Sequence, residues 1–145
     1  MSDEFIRNSH SIGNNVHHFE WCTKYRYKMF RNQKYAEYCR DILHMAAREY
    51  KIGMGELAVM PEHVHMDVSI PPDMSQSRAM QLLKGRSSYE MFKIAPEFRL
   101  RYPRGSLWSK GNFKDSVGRV TVETVRKYIR DQQSSLDSFT GNCGL

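Results

Sequence analysis

The chain predicts an α+β fold, a ferredoxin-like (RRM-like) antiparallel sheet covered by two helices, with one more helix at the C-terminal end. Three observations carry this. Apolar residues alternate with period two near residues 15–30, 56–60, 63–70 and 107–113, the signature of strands. Apolar stripes of period 3.6 mark helices over residues 32–51 and again after Ser75. The resulting order, β α β β α β and a terminal helix, is that of the plait, which serves unrelated activities and so fixes none by itself.

Each element has its own justification. Residues 1–13 are polar, lack the apolar core of a signal peptide and read as a flexible tail. Between Asn15 and Phe30, Trp21, Thr23, Tyr25 and Tyr27 fall on one strand face, and Lys24, Arg26 and Lys28 on the other. That basic ladder could track a phosphate backbone, or simply face water. Asn32 suits the cap of a helix whose stripe is Tyr35, Ala36, Cys39, Ile42, Leu43, Ala46, Ala47 and Tyr50. The stripe is core, so His44 beside it is given no chemistry. Gly53 and Gly55 punctuate the start of a strand over 56–60, and Pro61 turns the chain into the next strand, antiparallel to it.

Pro71-Pro72-Asp73 ends that strand, and Ser75 can cap a second helix bearing Ala79, Leu82 and Leu83. Lys84-Gly85-Arg86-Ser87-Ser88 then reads as a basic, hydroxyl-rich loop that could hold phosphates, or as a plain loop with a new cap at Ser87 or Ser88. Tyr89, Met91, Phe92 and Ile94 supply a short apolar helix after it. Arg99 to Gly105 is a basic turn, Leu107 to Phe113 the last strand, and Val117-Gly118 a hinge. A terminal helix over about 120–133 carries Val122, Val125 and Ile129 on one side, and residues 134–145 read as a second flexible tail. Residues 14–133 are thus expected to form a single domain.

Composition narrows the class. A chain of 145 residues with 40% hydrophobic and 12% aromatic content can build one packed core. No apolar run approaches the ~20 residues of a membrane span, so a cytoplasmic protein is expected. Cys22, Cys39 and Cys143 are scattered and odd in number, which argues against a disulfide framework or a cysteine zinc site. Lys and Arg number 22 against 16 acids, a net +6 that favours a polyanionic partner, nucleic acid first.

The chemistry concentrates in two places. His63 and His65 are i and i+2 in a strand, so both imidazoles share a face and can ligate one metal ion, with Val64, Met66 and Val68 on the other face. Asp67 shares the histidine face and is a candidate to support a ligand from behind. Tyr128 and Gln132 are four apart in a helix and also share a face. Two imidazoles, a carboxamide and a phenol suit metal-assisted attack by tyrosine on a phosphodiester. Taken alone, each residue has a plainer reading as surface or core filler. His17 and His18 of the first strand are read as structural rather than as DNA contacts, and Trp108 as a core residue rather than a stacking platform.

These segments carry a resemblance. Val16-His17-His18, Trp21 to Arg26, Met60 to His65, Ser69 to Pro72, Leu83 to Tyr89, Leu107 to Gly111 and Val125 to Gln133 are similar to the single-tyrosine HUH transposases of bacterial and archaeal insertion sequences. The resemblance spans about residues 16–133. Asn112 departs from it, standing where an aromatic is expected. The resemblance implies His63, His65 and Gln132 as ligands of Mg²⁺ or Mn²⁺, with Gln133 and, less well placed on the helix, Asp131 as alternatives to Gln132, and Tyr128 as the nucleophile on a catalytic terminal helix. Lys110 joins Lys24, Arg26, Lys28, Lys84, Arg86 and Ser87 as expected DNA contacts. It further implies single-stranded DNA hairpins as partners, cleavage and rejoining through a 5′-phosphotyrosine, and a homodimer in which the tyrosine helix can complete the other subunit's site. A domesticated or non-catalytic hairpin-binding module, and a nuclease using water as nucleophile, are the competing readings.

Overall fold

In the computed structural model, residues 16–116 and 122–142 are described. Strand β1 (Val16–Thr23) leads through a 3-10 turn (Lys24–Arg26) to helix α1 (Gln33–Glu49). Strands β2 (Gly53–Val59) and β3 (His63–Ser69) follow, then helix α2 (Gln76–Ile94) and a 3-10 segment (Pro96–Leu100). Strand β4 (Trp108–Ser116) and helix α3 (Val122–Asn142) complete the order. The sheet runs β2-β3-β1-β4 with every neighbouring pair antiparallel, which is the expected plait.

Strand periodicity sorts the two sheet faces. Val64, Met66 and Val68 of β3 point into the core with Phe19 and Trp21 of β1. Against them pack Cys39, Leu43, Ala46 and Ala47 of α1 and Ala79, Leu83 and Met91 of α2. Side chains that alternate with these lie on the opposite face, and there α3 meets β2 and β3. Both predicted caps form: Asn32 Oδ1 accepts from the Lys34 amide at 2.9 Å, and Ser75 Oγ from Arg78 at 3.0 Å. Burying a row of aliphatic side chains at about 1.5–3 kcal/mol each is what fixes the strand register.

Four local expectations change. The first strand stops at Thr23, so Lys24, Arg26 and Lys28 do not form a strand-borne ladder. Thr23 N donates to Glu62 O at 2.9 Å and Lys24 N to Leu107 O at 2.7 Å, and the chain then turns with Tyr25 at φ 62° and Arg26 at φ 56°. Strand β2 already begins at Gly53. Lys84 to Ser88 is no loop, because α2 passes through it unbroken. Ser87 Oγ donates back to Leu83 O at 2.6 Å, a bond that keeps a serine within a helix, and Gly85 faces open space. Finally, α3 continues beyond Gln133 to Asn142. The Val117-Gly118 hinge lies outside the described residues. Among those residues, no helix is long and apolar enough to cross a membrane.

Candidate active site

The non-core sheet face gathers polar side chains because β1 and β3 are paired in a fixed register. Glu20 stands opposite His65, His18 opposite Asp67, and Cys22 opposite His63. Residues directly opposite in an antiparallel pair share a face. One patch therefore holds His18, Glu20 and Cys22 from β1 with His63, His65 and Asp67 from β3.

His65 is the centre of this patch. It is 1% exposed, and among the described residues neither ring nitrogen has a hydrogen-bond partner of ordinary geometry. Its ring centroid lies 5.5 Å from His63, 5.9 Å from His18 and 5.7 Å from Tyr128, the last edge-on. Burial, then the neighbouring His63 and His18, push its pKa down to about 4, partly opposed by the approaching Gln132 side chain. His65 is thus held neutral near pH 7, the form in which imidazole binds a metal. His63 Nδ1 lies 2.7 Å from Glu62 Oε1, which orients that ring from behind and leaves Nε2 free to face a ligand.

Helix α3 brings the second half. Tyr128 and Gln132 lie one turn apart, and Gln132 Nε2 donates to Tyr128 Oη at 2.6 Å. Tyr128 is 51% exposed, open to a bulky substrate. Ile129 is fully buried and seats the helix. A buried polar contact fixes its rotation: Asp67, 1% exposed, accepts from Arg126 Nε at 2.8 Å and from the Glu56 amide at 2.7 Å. The Glu56 amide is available because the β2–β3 register shifts between Met54 and Leu57, a bulge that leaves one N–H off the ladder. Asp67 occupies the space over Gly55, where a Cβ would stand 2.1 Å from its Oδ2. Gln133 Oε1 accepts from Val59 N at 2.7 Å and from Arg40 at 2.8 Å, and Arg130 pairs with Glu56 at 3.1 Å.

His63, His65, Tyr128 and Gln132 are therefore brought together within one chain. Asp67, a candidate ligand support, is instead the anchor of α3. The neighbouring Gln133 is spent on docking, and Gln132 is the glutamine beside Tyr128. The basic residues divide. Arg26 and Lys28 line a groove with Arg31, Lys34 and Arg101. Lys84 and Lys110 line another with Lys93, Arg99, Tyr89 and Phe92, although Lys84 Nζ also donates to Ser109 O at 2.7 Å. Lys24 Nζ sits 5.5 Å from the Tyr25 ring. Arg86 bridges Glu90 at 2.9 Å and Glu49, tying α2 to α1. Ser87 is fully buried, and its Oγ also accepts from Trp108 Nε1 at 2.8 Å. The expected phosphate loop at 84–88 is corrected accordingly: Ser87 has no surface to offer. Trp108 is a core residue, edge-on to Trp21 at 5.7 Å.

Sequence reasoning did not single out Glu62, Glu20 or Arg126, and it read His18 as structural. Strand alternation carried the signal for His18 and Glu20, but only pairing with β3 shows what that face meets.

A family model described as "Transposase IS200 like" matches residues 11–132. The ISDra2 transposase TnpA of Deinococcus radiodurans is 30% identical over 116 residues, covering 80% of this chain and 82% of its own. The transposase for insertion sequence element IS200 of Salmonella typhimurium is 29% identical over 124 residues, covering 86% and 80%. Among solved structures, a putative transposase from Deinococcus radiodurans superposes with a TM-score of 0.65 at 28% identity, over 81% of this chain and 90% of that one. A REP-associated tyrosine transposase bound to a REP hairpin shares the fold, with a TM-score of 0.54 at 14% identity over 80% and 62%. With its fold and its family match over most of its length, the chain belongs to the IS200-like transposases, a family of DNA-cleaving and rejoining enzymes.

Proposed function

We propose that this protein cleaves and rejoins single-stranded DNA at insertion-sequence ends, with Tyr128 as nucleophile and His63, His65 and Gln132 as ligands of a divalent ion. The observation that carries the reading is the convergence on His65, a buried imidazole with no hydrogen-bond partner, of His63, Tyr128 and Gln132. Buried polar atoms are almost always partnered, so an orphaned imidazole beside a second one fits a metal ligand. Two imidazoles are softer donors than Mg²⁺ favours, so Mn²⁺ suits them better. A bound ion supplies neutralisation of the phosphodiester's non-bridging oxygens and orients the phosphorus.

The protein's own groups do the rest. Tyr128 Oη forms a bond to phosphorus while the bond to the leaving 3′ oxygen breaks, giving a 5′-phosphotyrosine and a 3′-OH. The phenol gives up its proton as it attacks, and the departing 3′ oxygen takes one up. The Gln132 amide donates to Oη and favours the developing negative charge, while its carbonyl oxygen remains a donor for a cation. Lys127, exposed on the same helix, adds positive potential, whereas Arg130 is paired with Glu56. The covalent bond conserves the energy of the phosphodiester, so another 3′-OH can reverse the step without ATP.

End hairpins are the proposed substrates, supported by the two grooves that hold Arg26, Lys28, Lys84 and Lys110 among aromatic rings. Lys24 lines a separate small cleft with Tyr25, Arg101 and Arg104. The reading includes a homodimer, in which α3 of one subunit could occupy on its partner the seat it takes here on its own sheet. Light scattering at working concentration tests this, and a monomeric mass contradicts it.

The test of the activity is a denaturing gel with single-stranded oligonucleotides from the element's two ends, Mn²⁺ or Mg²⁺, and the Tyr128→Phe variant. A protease-sensitive, metal-dependent adduct absent from Tyr128→Phe is expected. Cleavage that survives Tyr128→Phe would mean that water is the nucleophile, and tight hairpin binding without any cleavage would mean a binding module.

A further inference from the structure

We infer that strand β1 supplies part of the metal site, with Glu20 giving an anionic oxygen ligand and His18 an imidazole to the ion bound by His65. The inference deepens the proposed function and rests on its metal-bound His65. One ligand atom each from His18, Glu20 and His65 can be chosen so that all lie within 4.8 Å of one another. Metal–ligand bonds of about 2.0–2.3 Å put ligand atoms of one ion up to about 4.6 Å apart, so small side-chain shifts close the set. The arrangement follows from strand pairing, since Glu20 is directly opposite His65 and His18 lies two residues along the same face.

A second observation points to a ligand. His65 is 1% exposed, neither of its ring nitrogens has a hydrogen-bond partner among the described residues, and its ring centroid lies 5.9 Å from His18 and 5.5 Å from His63. Among the described residues, the Glu20 carboxylate forms no ion pair. A carboxylate facing two imidazoles, with no cation opposite, is a natural half of a two-histidine, one-carboxylate site. Such a set leaves positions open for substrate oxygen and water. It also answers the mismatch of donor softness: an anionic oxygen is the ligand that Mg²⁺ and Mn²⁺ favour and that His63, His65 and Gln132 do not offer. The consequence is functional. Ligands on β1 and β3 belong to the rigid sheet, so the ion can be loaded whether or not α3 is docked.

The test is Mn²⁺ binding to the DNA-free full chain, followed by the loss of the free-Mn²⁺ electron paramagnetic resonance signal. Glu20→Gln is expected to weaken binding at least about tenfold, with partial recovery in Glu20→Asp. His18→Gln is expected to weaken it as well, and Gln132→Ala to change it less than Glu20→Gln does. Thermal unfolding without metal controls for the fold, and the near-isosteric Glu20→Gln is expected to leave it unchanged. Wild-type affinity in Glu20→Gln, with binding lost in His63→Ala and His65→Ala, overturns the β1 contribution and leaves the proposed function standing. No Mn²⁺ bound by the wild type overturns both.

Discussion

Replacing Arg126 with methionine keeps the aliphatic stem that packs on the sheet and removes the guanidinium that Asp67 accepts from. Asp67 is 1% exposed and would keep only the Glu56 amide, at 2.7 Å. Removing one partner of a buried ion pair costs about 3–5 kcal/mol. Here the Arg126 side chain is 28% exposed and one hydrogen bond survives, so about 2 kcal/mol is the better figure. Because Arg126 reaches Asp67 from α3, the loss falls on docking of that helix, and about 2 kcal/mol shifts the docked-to-undocked ratio roughly 30-fold. Gly55→Ala reaches the same contact from the other side. Its Cβ would stand 2.1 Å from Asp67 Oδ2 and drive the carboxylate off both partners without touching α3. Amide hydrogen exchange is the assay. Exchange around Tyr128 should accelerate about 30-fold in either variant while α1 and α2 keep their protection, and the double variant should fall well short of additivity. Unchanged protection of α3 in both variants would refute the anchoring role of Asp67.

Three further outcomes follow from individual contacts. Gln133→Ala should loosen α3 through the loss of the Val59 and Arg40 contacts, whereas Gln132→Ala should leave its hydrogen exchange near wild type; the reverse pattern would exchange the roles of the two glutamines. Ser87→Ala should cost about 1–3 kcal/mol in urea unfolding, because the buried Trp108 N–H loses its acceptor, and a change below about 0.5 kcal/mol would contradict it. The folded His65 pKa of about 4 lies below the ordinary 6.5, so between those values the unfolded chain binds more protons than the folded one. Metal-free stability should therefore fall as pH drops from about 6.5 to 4, with His65 accounting for about 2–3 kcal/mol, and His65→Gln should flatten that slope. An unchanged slope would mean that His65 is solvated.

Much of this was legible beforehand where periodicity and spacing are local. The alternation around Val64, Met66 and Val68 set the face of His63 and His65, and the four-residue step joined Tyr128 to Gln132. What failed depended on distant partners. Alternation runs on through Tyr27, yet the amides of Thr23 and Lys24 are taken by Glu62 and Leu107, and the strand ends there. Gly85, Ser87 and Ser88 look like helix breakers, but the Ser87 hydroxyl bonds within the helix and receives an indole N–H from β4. Adjacent glutamines differ by about 100° around α3, so only the position of the sheet decides which one faces the phenol. Gly55 looked like punctuation because its true neighbour, Asp67, lies on another strand.

The proposed chemistry turns on Tyr128 forming the covalent bond to DNA. Protein trapped on a single-stranded end oligonucleotide with Mn²⁺, digested with nuclease and protease, and analysed by tandem mass spectrometry tests it most directly. The expected product is a nucleotide 5′-phosphate joined to the phenol oxygen of the peptide containing Tyr128, with no modified peptide in Tyr128→Phe. A phosphodiester link to any other residue, or metal-dependent cleavage with every tyrosine unmodified, would contradict it.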